Sequence, residues 1–241
     1  MNPANDTFET VAELVRQHPE RSRIFEELGI EFCCHGHVPL DQASVLNGLD
    51  LVDVCRRLEA AESTVSGAER DWTTASLTEL TEHIVEVHHS YLRRELPLQA
   101  GLIDRVIAAH SESHPELRSL REVFAALQYE LLAHMMKEEQ VLFPMIRQLE
   151  RTPVDERRSL RFHCGTIGNP IAMMEHEHDV AGKALRQLDV LTHQYQPPDD
   201  ACATYRALLS GLEQLQSDLH LHIHKENNIL FPAAAALEPH S

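Results

Sequence analysis

The chain is short of the residues that punctuate a fold or favour strands: nine Gly, twelve Pro and one Trp, with aromatics at 5% of 241 residues. So small a supply points away from sheets and towards helices. No apolar run approaches the ~18 residues that a membrane-spanning helix needs. Basic residues are few as well, 21 Lys and Arg against 38 Asp and Glu, for a net charge of −17 with His neutral. Such a surface repels phosphate backbones and anionic lipid, which excludes nucleic acid and membrane as main partners. Five cysteines, an odd number without framework spacing, fit a reducing compartment rather than a disulfide scaffold. The start, MNPANDTFETV, is acidic and lacks the basic and apolar segments of a secretory leader, so the expected location is the cytoplasm.

Histidine is what the chain has in plenty: 17 residues, crowded as HH at 88–89, HEH at 176–178 and HLHIH at 220–224. Crowded histidines first suggest metal. Residues 7 to about 60 read as a small helical unit, with amphipathic patterns at Val11, Leu14 and Val15 and at Ile24, Phe25 and Leu28. Gly29 reads as a helix stop before IEFCCHGHVPL, and a further apolar pattern runs over 46–58. The small, polar stretch 61–72 reads as a linker, which places the domains at 1–66 and 67–241.

Four long helical patterns follow. The first opens on a Ser76 and Glu79 capping box and runs towards Pro97; the second extends from Pro115 to about Gln148. The third starts at Asn169 and Pro170, and the fourth covers about 201–237 after QPPDD. Residues 151–168 form a loop too long for a simple bundle turn. The fold class expected is all-α, a small helical domain followed by a four-helix bundle.

An internal repeat carries the chemistry. HMMKEEQVLFP (134–144) and HIHKENNILFP (222–232) align without a gap, and His89 and His178 stand 45 and 44 residues upstream of His134 and His222. The second helix has the stripe Leu120, Phe124, Leu127, Leu131, His134, Glu138, Val141, and the fourth has Leu208, Leu212, Leu215, Leu219, His222, Glu226, Ile229. Both step by three and four, the spacing of an inward face, and His178 and His89 continue apolar stripes in the other two helices. Four His and two Glu therefore point at an apolar interior, where an unpaired carboxylate costs several kcal/mol. His at i and Glu at i+4 share one face and reach one centre. Two carboxylates can bridge two cations while four imidazoles fill terminal positions, and bundles with such ligands hold di-iron or di-manganese sites. A single core histidine is more often satisfied by hydrogen bonds, but matched registers in two copies reverse that weighing.

The remaining candidates read as follows. His83, His88, His176, His220 and His224 lie off the stripes and are assigned to the surface or to groups behind the ligands. His110 and His114 lie outside the repeat and are expected to face solvent. Met135, Met136, Met173 and Met174 are core filler, and Pro144 and Pro232 mark helix kinks. Cys33 and Cys34 are adjacent, which is neither a zinc nor a thioredoxin spacing; inert thiols and a metal-handling pair stand level. Cys55, Cys164 and Cys202 are taken as structural.

EFCCHG (31–36) followed by the two repeats resembles the iron–sulfur-cluster repair di-iron proteins, across essentially the whole chain. The resemblance implies a vicinal Cys pair, Cys33 and Cys34, in the N-terminal domain and a hemerythrin-like bundle with two Fe ions, oxo- and carboxylate-bridged. Carried over by position, the ligands are His89, His134, Glu138, His178, His222 and Glu226, with His89 chosen over His88. It further implies damaged iron–sulfur proteins as partners, a homodimer, and repair after oxidative or nitrosative stress by donation of iron. Rival readings are a di-iron enzyme that consumes nitric oxide or peroxide, and an oxygen or nitric oxide sensor. The motif departs from the family in having Glu31 for Asp and His35 in the turn, and the 151–168 loop occurs in only some members.

Overall fold

Helix starts and stops in the N-terminal region follow local chemistry. In the computed structural model, which describes residues 8–62 and 70–238, α1 spans Val11–Gln17 and opens where the Thr10 hydroxyl accepts from the Glu13 N–H at 3.2 Å. α2 (Arg21–Glu27) stops at Gly29, whose φ of 68° suits a residue without Cβ. There the Ile30 N–H reaches back to the Phe25 carbonyl at 2.8 Å and the Gly29 N–H to Glu26 at 3.0 Å, the paired bonds of a Schellman stop. The single pattern expected over 46–58 is instead divided between α3 (Leu40–Leu46) and α4 (Leu51–Glu62). Asp50 causes the break, because its carboxylate accepts from the N–H groups of Val52 (2.8 Å) and Asp53 (3.1 Å) and restarts the helix. Much of the linker expected at 61–72 falls on 63–69, outside the described residues.

Backbone contacts group the chain into two units, Met1–Ser76 with His220–Ala233 and Leu77–Leu219 with Ala234–Ser241. In the first unit Val11, Val15, Phe25, Ile30, Phe32, Leu40, Val54 and Leu58 are buried.

The second unit is the helical bundle: α5 (Leu77–His83), α6 (Ser90–His110), α7 (Glu116–Lys137), α8 (Phe143–Arg151), α9 (Gly168–Leu191) and α10 (Ala203–Lys225) as far as Leu219. α11 (Phe231–Leu237) ends the chain's helices. α7 packs against both α6 and α9. The stripes read from the sequence are buried, from Leu120 to Leu131, Ile171 to Leu188 and Leu208 to Leu219, each such Leu worth about 1.5–3 kcal/mol. α6 does not stop near Pro97 but passes through it, because Pro97 is exposed and water can serve the carbonyl left without a partner. Among the described residues there is no strand, as an all-α chain requires.

Among the described residues, three turns of π-helix interrupt the α-helices, at Ile84–His89, Glu138–Leu142 and Glu226–Leu230. A π turn carries one extra residue, so the inward stripe slips by one. Leu142 and Leu230 are therefore buried where Val141 and Ile229 were expected. The kinks expected at Pro144 and Pro232 take this form, since a proline lacking its N–H loosens the ladder in the preceding turn.

The start of α5 is closed by a side chain distant in sequence. Glu150 accepts from the N–H groups of Leu77 (2.6 Å) and Thr78 (2.9 Å) and from the Thr78 hydroxyl (2.6 Å). Burial pushes Glu150 up, yet these bonds hold it below its ordinary 4.5. Glu150→Ala should destabilise the bundle by about 1–2 kcal/mol. A lowered carboxylate contributes above its unfolded value and loses that contribution as pH falls. Denaturant unfolding should thus separate variant from parent at about pH 7 and bring them together at about pH 3.

Candidate metal centre

The histidines of the bundle's site are placed by helices, and two of them, His89 and His134, are aimed by a carboxylate behind the ring. His89 ends the first π turn, His134 lies in the last turn of α7, Glu138 opens the second π turn, and His178 faces inward from α9. All four side chains are buried. Glu138 Oε2 stands 3.3 Å from His89 Nε2 and 3.3 Å from His134 Nε2, and His134 Nε2 is 3.2 Å from His178 Nε2. The ligand atoms of His134, Glu138 and His178 all lie within 4.8 Å of one another. Among the described residues neither oxygen of Glu138, 0% exposed, has a hydrogen-bond partner.

On the far side of the rings, His89 Nδ1 bonds Glu139 Oε1 at 2.6 Å, and Arg93 bonds the same oxygen at 2.6 Å. His134 Nδ1 bonds Glu177 Oε2 at 3.0 Å, while Lys137 holds the other oxygen. A carboxylate only accepts, so each Nδ1 carries the proton and each Nε2 presents its lone pair inward. The hydrogen bond from His134, with Lys137 beside it, brings Glu177 down to about 2. Burial pushes Glu139 up, but His89 and Arg93 outweigh it and leave it lowered. Inward lone pairs around a dry carboxylate make a donor set that fits a metal cation and little else.

In the first unit the second copy of the motif brings His222 Nε2 to 3.0 Å from Glu226 Oε1, both buried. The same segment holds the cysteine turn. Asn228 donates to the carbonyl of Cys33 at 3.0 Å and of Phe32 at 3.3 Å, and its amide also meets His224 Nδ1 at 3.1 Å. Gly36 is required in that turn, because a Cβ would lie 2.3 Å from the Phe32 carbonyl oxygen and 2.6 Å from Ala12 Cβ. The Cys33 and Cys34 sulfurs are 3.8 Å apart, and that hydrogen bond brings the buried Cys33 down to about 7. Glu31 joins them, with ligand atoms of the three within 4.8 Å.

Several assignments change. His224 is buried, its ring against Phe32 with centroids 5.8 Å apart, and burial pushes it down to about 4. His88 is buried too and bonds Asp218 at 2.9 Å, whereas His176 is exposed. Of the four methionines, Met135 and Met174 are core, while Met136 and Met173 are exposed. Cys164 packs its sulfur 3.5 Å from Met145 Sδ. Glu139, Glu177 and Asn228 were missed, since each lies off the inward stripe; their nearest signal is adjacency, Glu139 to Glu138 and Glu177 to His178.

The description "Hemerythrin HHE cation binding domain" matches residues 80–234, and "Domain of Unknown function (DUF542)", the ScdA N-terminal type, matches residues 7–62. The chain is 36% identical to the iron-sulfur cluster repair protein YtfE of Dickeya chrysanthemi, over 94% of this chain and 96% of the relative. It is 37% identical to YtfE of Escherichia coli O81, over 95% and 97%, and 38% identical to YtfE of Edwardsiella ictaluri, over 93% and 95%.

The state of Glu138 has a measurable consequence. In metal-free protein Glu138→Gln replaces a buried carboxylate that lacks a hydrogen-bond partner among the described residues with a neutral amide, and should stabilise the fold by about 1–3 kcal/mol. Thermal unfolding after exhaustive chelation checks this: Tm should rise, and an unchanged or lower Tm would show that the carboxylate is satisfied without metal.

Proposed function

The chain, with its ScdA-type N-terminal region and hemerythrin HHE region, belongs to the iron–sulfur cluster repair protein family, and we propose that it restores damaged clusters through a di-iron centre held by His89, His134, Glu138, His178, His222 and Glu226. The observation that carries this reading is the buried Glu138, without a hydrogen-bond partner among the described residues and 3.3 Å from two imidazole nitrogens. The in-register repeat extends the set to His222 and Glu226, which supply the second His-x-x-x-Glu. Two bound iron ions would supply the positive charge that two buried carboxylates require, and the labile metal that an iron-depleted cluster lacks.

The protein's own groups have separable tasks. Glu138 and Glu226 would hold the iron as its two carboxylate ligands. Glu139 and Glu177 keep the proton on Nδ1 of His89 and His134 and hold each ring in its ligating orientation. Buried Leu131, Leu142 and Ile146 exclude water from the bundle interior. Cys33, brought to about 7, is partly thiolate at neutral pH and offers iron a softer ligand than imidazole. On this reading the domain of residues 67–241 stores iron and that of residues 1–66 assists its transfer.

Metal analysis should find about two iron atoms per chain; one zinc and no iron would overturn the assignment. Glu139→Gln and Glu177→Gln should each weaken iron retention against a chelator about 10–100-fold. The double variant Cys33→Ala with Cys34→Ala should keep its iron and lose most of its capacity to reactivate a damaged iron–sulfur enzyme. Reactivation at the parental rate would confine transfer to the bundle.

A further inference from the structure

The bundle holds a second cluster of metal-binding side chains, at the other end of α6. That helix has 21 residues, which puts its last residue, His110, about 30 Å from its start beside His89. The turn after α6 carries His114, and the turn before α10 carries Asp200 and Cys202. Although His110 and His114 were expected to face solvent, both are partly buried, with Tyr205 as the floor between them at ring distances of 5.4 Å and 5.7 Å. His114 Nε2 lies 2.9 Å and 3.2 Å from the two oxygens of Asp200, and ligand atoms of His110, His114 and Asp200 all fall within 4.8 Å of one another. Cys202 lies outside that group of three but in the same turn as Asp200, and a hydrogen bond from the His110 side chain brings its exposed thiol down to about 7.

We infer that His110, His114, Asp200 and Cys202 form a separate site for a four-coordinate divalent cation of the zinc class, which ties the two turns together. Two imidazoles, a carboxylate and a thiol are the donors such a cation takes, and His110-x-x-x-His114 has a spacing common among its ligands. Glu116 completes the arrangement: its carboxylate bonds His114 Nδ1 at 3.0 Å and keeps the proton there. In the metal-free state a second proton on His114 Nε2 bridges to Asp200, and a cation bound there releases it. The thiol likewise loses its proton to solvent on binding. His114 and Asp200 come from turns 86 positions apart, so the cation adds a second tie across a long loop to the hydrogen bond already there.

The test uses the full-length, iron-loaded protein, dialysed to equilibrium against chelator-buffered zinc with both metals counted. One zinc per chain should bind at unchanged iron content. His114→Ala should abolish that zinc and Cys202→Ser should weaken it at least tenfold, both with iron unchanged. Cobalt in place of zinc should show thiolate charge-transfer absorption in the parent and lose it in Cys202→Ser. No zinc beyond the iron, zinc gained only as iron is lost, zinc retained by His114→Ala, or cobalt spectra without a thiolate band would each overturn the site.

Discussion

Glu138 is a carboxylate with no exposed surface and no hydrogen-bond partner among the described residues, and two histidine nitrogens stand 3.3 Å from it. Such a group is costly by several kcal/mol unless a cation accompanies it. The surrounding bundle makes the cost larger by keeping water out, since Leu131, Leu142, Phe143 and Ile146 are all buried. Metal binding and bundle stability are consequently linked, with the packing that stabilises the helices raising the penalty for an empty site.

Backbone and electrostatics both bend towards that constraint. The π turns at Ile84–His89 and Glu138–Leu142 widen the helix where His89 and Glu138 must face inward, at the expense of a regular hydrogen-bond ladder. Behind the histidines, Glu139 with Arg93 and Glu177 with Lys137 form an outer layer of paired charge. That layer sets tautomers and ring planes without placing further charge in the dry interior. The net charge of −17 does not spread evenly in its effects: these two glutamates have positions that matter for the site, whereas most others solvate the surface.

The cysteine turn is organised by the same economy of contacts. Asn228 holds the Cys33 carbonyl two residues beyond Glu226, so the vicinal thiols and the second His-x-x-x-Glu motif belong to one contact unit. The hydrogen bond from Cys34 brings the buried Cys33 thiol down to about 7, and the carboxylate of Glu31 stands beside the pair.

The sequence by itself determined the helical class, the inward stripes and the matched His-x-x-x-Glu registers, because a 3.6-residue period writes the buried face of a helix directly into residue order. It also located the helix stop at Gly29, where a left-handed backbone favours one residue type. Tertiary structure alone decided what surrounds those stripes. The one-residue slip to Leu142 and Leu230 follows from π turns that no α-helical period anticipates. Glu150 closing α5, Glu177 behind His134, and Asp200 meeting His114 join residues 72, 43 and 86 positions apart. Periodicity reports only which way a side chain points from its own helix; its partner depends on how helices distant in sequence pack together.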